Sequence, residues 1–187
     1  MHNYLQFLSA GLILGLFTEF ELKLVAGVKP ATFVLALCIY PVIISLAYAG
    51  SRWIDRLVAS TWQGDMLHYI ASGLGGLIVE WSLLGNGPGS SAFQPGMLAM
   101  WTSFCFGPRI LIRKSSIIDH QRKRFWIAFG ITSVLLTSIV LLIRSAKAKI
   151  VIAVVGLSGA YMVWSIWLLG LAWRTRHMAP REKKALA

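Results

Sequence analysis

Charge is what this sequence has least of. Only 13% of its 187 residues are charged and only seven are acidic, against 57% hydrophobic. A globular surface usually needs about a quarter of the chain charged, so this balance excludes an ordinary water-soluble domain. A mean hydropathy of +0.68 agrees. Cysteine is also scarce: Cys38 and Cys105 both fall inside apolar runs with no ligand-type spacing. That excludes a disulfide framework and a thiolate metal site, and leaves two small hydrophobes. No HExxH, GxSxG, CxxC, paired-histidine box or DxxD-type cluster occurs. The familiar signatures of zinc hydrolysis, activated serine and thiol redox chemistry are therefore missing.

What the chain does have is apolar length. Six runs stand out, near 4–26, 31–50, 66–85, 96–112, 125–143 and 150–173. Each is close to the roughly 20 residues a helix needs to cross a hydrocarbon core of about 30 Å. The expected fold is all-α: a polytopic integral membrane protein of about six transmembrane helices in one bundle. A single domain spans 1–187, with a short basic tail from about 174. The first run is expected to stay in the mature chain, because no basic segment precedes it and no small-x-small site follows before Glu19, Glu21 and Lys23.

Basic residues set the orientation. With the N-terminus inside, thirteen of the 18 fall in inside segments and five in outside ones. The positive-inside rule then places both termini in the cytoplasm. The stretch "RKSSIIDHQRKR", 113–124, is the strongest anchor. It reads as a retention signal in contact with anionic lipid headgroups, so the net charge of +11 reports topology and not nucleic-acid binding. Compactness favours a prokaryotic inner membrane or an equivalent organellar membrane.

Small residues recur one turn apart at Gly11 and Gly15, Ser72 and Gly76, and Gly156 and Ala160. In lipid such seams let helices approach closely, either within the chain or against another membrane protein. Pro41 and Pro108 each remove a backbone hydrogen bond inside a run and should kink it.

Ionisable residues inside the runs carry the functional hypotheses, because they are costly there. In "SGLGGLIVEWSLLGNGPG", 72–89, Glu80 stands two thirds of the way along an otherwise apolar run. Its estimated depth places it in the outer leaflet with Glu19, Glu21 and Lys23, beside the interfacial Trp81 and the loop at Asn86. Glu19 and Lys23, four apart, can pair. Glu80 then either fixes helix packing through donors on a neighbouring helix, or lines an outward-facing acidic cavity for a cation. The packing role ranks first.

Arg109 and Arg113 lie at the opposite leaflet. Arg109 can snorkel to the headgroups, pair with Asp65 or clamp a lipid phosphate, and snorkelling ranks first. His68 is the only histidine at membrane depth and is a weak candidate ligand for haem or a chlorophyll magnesium. No metal is assigned, and the pattern names no cofactor.

Three function classes follow. A non-catalytic membrane subunit that packs against, stabilises or helps assemble a larger complex ranks first, given the thin set of ionisable groups and the short loops. A small transport unit with an outward-facing acidic cavity comes second, and a lipid-modifying enzyme third. The expected partners are membrane lipids and other membrane chains.

Overall fold

The computed structural model describes residues 2–29, 32–82 and 94–185, and among them every regular element is helical. The order is α1 (His2–Glu19), a π-helical segment (Phe20–Val25), α2 (Thr32–Leu57), α3 (Thr61–Ser82), α4 (Gln94–Leu111), α5 (Ser116–Leu142) and α6 (Ala146–Ala185). Among the described residues, each of the six apolar runs falls mainly on one of these helices, the first continuing into the π segment.

Three of the helices, over Phe33–Leu57, Ile118–Leu142 and Ala146–Arg176, are long and apolar enough to cross a membrane. They also carry wide apolar outer faces. Val34 and Leu46 on α2, Val134 and Leu142 on α5, and Val163 and Ile166 on α6 are all strongly exposed. Continuous apolar exposure of this kind is untenable in water and suits lipid. The chain is a membrane protein.

The other three helices do not meet that test of length and composition; on α3 and α4 the polar residues responsible turn inward. α4 is the centre of the bundle: every residue from Ala99 to Leu111 is buried, with α1, α2, α3 and α6 packed around it. A helix enclosed by protein can carry Thr102, Ser103 and Arg109 without showing them to lipid. α3 likewise turns Asp65, His68, Ser72 and Glu80 inward. α1 ends at Glu19, where the wider π turn takes over.

The small-residue seams are internal. A Cβ at Gly11 would come within 2.8 Å of Ile44, and one at Gly15 within 2.8 Å of the Tyr40 ring. Gly76 lies flat against Trp101, and a Cβ at Gly156 would meet Leu136. Pro108 deprives the Phe104 carbonyl of its helical donor. That carbonyl faces Gly11, where a Cβ would approach it to 2.9 Å. The proline and the glycine thus belong to one close crossing of α1 and α4, the geometry in which Cα–H···O contacts form.

Two boundaries differ from the sequence expectation. α5 begins at Ser116, so most of "RKSSIIDHQRKR" forms its first turns. There Arg122 donates 2.9 Å to the Leu111 carbonyl and pairs with Asp119, which ties the α4 C-terminus to α5. α6 runs on as helix through the expected tail. Its 40 residues extend about 60 Å at 1.5 Å per residue, roughly twice a hydrocarbon core.

Candidate functional site

Two polar clusters sit at different levels of the bundle. The first gathers where the start of α1, the α2–α3 turn, the α4–α5 turn and the late part of α6 meet. Arg109 is its hub. Its Nε donates to Asp65 at 2.8 Å, one Nη to Asp55 at 2.6 Å, and the other to the Ser51 hydroxyl at 2.7 Å and carbonyl at 3.2 Å. Arg113 adds a two-pronged pair to Asp65 at 2.7 and 2.9 Å and a bond to Thr175 at 2.9 Å. Of the three arrangements open to Arg109, the structure adopts the pairing with Asp65. The helix geometry dictates this: Ser51 and Asp55 are four apart and share a face of α2, which together with Asp65 offers the guanidinium a matched set of oxygens. Asp65 is only 1% exposed, so its charge is held by protein donors alone.

The second cluster joins carboxylates to aromatic donors. Tyr40 donates to Glu19 at 2.8 Å, and Trp101 Nε1 donates to Glu80 at 3.2 Å. The Tyr40 and Trp101 rings lie 6.2 Å apart, with Phe104 against both. The structure therefore brings Glu19 and Glu80 to one aromatic group. Glu21 goes elsewhere: it is completely buried and accepts from Thr137 on α5. The expected Glu19–Lys23 ion pair is absent among the described residues. The π segment between them closes with Ala26 N–H on the Glu21 carbonyl, five residues back, at 2.8 Å. Lys23 still acts on Glu19 electrostatically, but not at ion-pair distance. Trp81 donates 3.2 Å to Gln94 at the start of α4, and Asn86 lies outside the described residues.

His68 is buried edge-on to Phe106, their ring centres 6.0 Å apart. The Ala47 carbonyl faces it, yet neither ring nitrogen makes a well-formed hydrogen bond among the described residues. Ser72, one turn on along the same face, also has an unpartnered buried hydroxyl, and Glu21 an unpartnered carboxylate oxygen. Buried polar atoms of this kind usually enclose water or a ligand. No group of three or more His, Cys, Asp or Glu able to hold a metal comes together among the described residues.

Sequence reasoning passed over Ser51, Asp55, Tyr40, Trp101 and Thr137. The i, i+4 spacing of Ser51 and Asp55 was a usable signal. A tyrosine, tryptophan or threonine in a membrane helix is too ordinary to give one. With this geometry established, comparison with family models, curated proteins and solved structures finds no match to the chain.

Proposed function

We propose that the chain is a six-crossing membrane protein with both termini cytoplasmic, serving as a non-catalytic subunit that stabilises or helps assemble a larger membrane complex. The observation that carries this reading is how the interior acids are used. Glu19, Glu21, Glu80 and Asp65 each accept a hydrogen bond from a different helix. Acids committed in this way latch helices together and are poorly placed to act on a substrate. The surface available to meet other molecules includes the wide apolar exterior of α2, α5 and α6 and the basic end. A prokaryotic inner membrane or an organellar equivalent fits the compact loops.

Extraction in mild detergent, followed by native mass and identification of co-purifying chains, tests it. A particle well above 20.7 kDa, beyond the detergent's share and containing other chains, is expected. Recovery as a lone chain under several mild detergents would overturn the subunit reading.

A second reading, a small transport unit, is favoured by the two carboxylates sharing the Tyr40–Trp101 aromatic pair. This combination suits an organic cation. Its test is a titration of tetramethylammonium followed by tryptophan fluorescence, in wild type and Glu80→Gln. Saturable quenching lost in the variant would support transport, and its absence would remove that reading.

A further inference from the structure

We propose that the cavity at the basic end of the bundle is a binding site for a phosphate-bearing anion. The cavity measures about 500 Å³, within the range of small-molecule sites. Four cationic side chains line it, Arg52, Arg109, Arg113 and Lys114, against one lining carboxylate, Asp55. Two of the four are already committed: Arg109 to Asp55 and Asp65, and Arg113 to Asp65. Arg52 and Lys114 form no ion pair with any acid among the described residues, although they reach the same cavity from α2 and from the α4–α5 turn. The pocket thus holds two uncommitted positive charges on a frame made rigid by the Arg109 network.

The rest of the wall suits the same ligand. Ser60 and Thr61 line the cavity at the start of α3. The Ser60 carbonyl accepts the Gly64 N–H at 3.0 Å, which makes Ser60 the residue that opens the helix. Early N–H groups there lack intrahelical acceptors and favour anions. A second cavity of about 300 Å³ shares Ser60, Thr61, Arg113 and Lys114 and adds Arg176 beside Asp65, the acid already paired with Arg109 and Arg113, so positive charge outnumbers negative past the rim as well.

Apolar side chains complete the lining: Phe7, Tyr48, Val58 and Ile112. A bare phosphate leaves most of 500 Å³ unfilled. A phosphate carrying a glycerol-sized group uses both the cationic and the apolar walls. That chemistry is common to a phospholipid headgroup and a soluble phosphate ester. The site stands whether or not the chain works as a subunit.

The test uses the full chain in detergent, with native mass spectrometry and thermal shift against phosphatidic acid, phosphatidylglycerol, phosphatidylcholine and glycerol 3-phosphate. One-to-one binding of the anionic ligands, well above phosphatidylcholine, is expected. Arg52→Gln/Lys114→Gln should bind about tenfold more weakly or worse, with its unliganded melting temperature unchanged. The control pair Lys147→Gln/Lys149→Gln, with equal charge loss outside the cavity, should bind as wild type.

Binding of the anionic lipids alone assigns the ligand to the membrane. Equal binding of glycerol 3-phosphate assigns it to soluble phosphate esters. Wild-type anion binding by the cavity variant, equal weakening in the control pair, or no preference over phosphatidylcholine would each overturn the proposal. Should the cavity variant not fold, Arg52→Lys/Lys114→Arg keeps both charges and must retain binding, while single Lys114→Gln must weaken it.

Discussion

At the scale of single residues, the interior is organised by donors and acceptors drawn from different helices, and substitutions can separate a structural acid from a functional one. Asp65 accepts from both Arg109 and Arg113 while almost completely enclosed. Asp65→Ala leaves buried positive charge without its main partner, a loss that typically costs about 3–5 kcal/mol. A large fall in melting temperature is expected, with Arg109→Met/Asp65→Leu less harmed than Asp65→Ala because the more deeply buried of Asp65's two cations leaves with it, and Arg113 is the more exposed. At Glu80 the contrast is Gln against Leu. Glutamine keeps an oxygen able to accept from Trp101, so Glu80→Gln should melt close to wild type. Glu80→Leu strands the buried indole N–H, at about 1–3 kcal/mol. Unfolding curves of the two variants that coincided would show that the Trp101 bond contributes nothing. Glu19, Glu21, Glu80 and Arg109 were legible in the sequence because a charge in an apolar run stands out, and Asp65 was a foreseeable partner of Arg109. The glutamates' partners Tyr40, Trp101 and Thr137 were not, because no pattern distinguishes a tyrosine, tryptophan or threonine that meets a carboxylate from one that merely packs.

At the scale of elements, α3 shows how a helix that carries ionisable groups is retained in a membrane protein. Asp65, His68, Ser72, Gly73, Gly76 and Glu80 are buried on its inward face, while Leu67, Ile70, Leu74 and Ile78 face outward. Gly75 and Gly76 make the distinction testable with one atom group. A Cβ at Gly75 meets nothing within 4 Å, whereas one at Gly76 runs into the Trp101 side chain. Gly75→Ala is expected to be neutral or to stabilise by up to about 1 kcal/mol, from the lower backbone entropy of alanine. Gly76→Ala should destabilise strongly, since overpacking a tight contact costs about 1–3 kcal/mol. Equal melting temperatures for the two would mean that α3 does not press on α4 at Trp101. The existence of each helix was readable from apolar runs separated by charge and turn residues. The ends of α5 and α6 were not, because both helices continue through basic sequence that a hydropathy pattern treats as loop. The π segment was also hidden: "FELKLV" is compatible with an unbroken α-helix, and no residue in it marks a wider turn.

At the scale of the whole molecule, polarity is arranged with lipid and not water as the outer solvent. Glu21, Asp65, His68, Glu80 and Arg109 are buried inside the bundle, and α2, α5 and α6 present leucine, isoleucine and valine outward. Aromatic rings fill the interior between α5 and α6, where Phe125, Phe129, Trp164 and Trp167 meet. At the basic end Trp62 and Trp173 pack edge to face at 4.9 Å, with Arg176 over both. This amphipathic grouping suits the headgroup level. It lies with Arg52, Arg113 and Lys114 around the two basic cavities, the end that the proposed orientation turns to the cytoplasm. Single cysteines in a Cys38→Ser/Cys105→Ala background test the orientation with a membrane-impermeant maleimide. Lys147→Cys, at the start of α6, should label in intact cells. Asn3→Cys and His120→Cys, near the starts of α1 and α5, should label only after the membrane is opened. The reverse pattern would invert the molecule and put the phosphate-binding cavity outside. Labelling of His120→Cys and Lys147→Cys from the same side would mean that α5, apolar and outward-facing as it is, does not cross, and the six-crossing arrangement would fall with it.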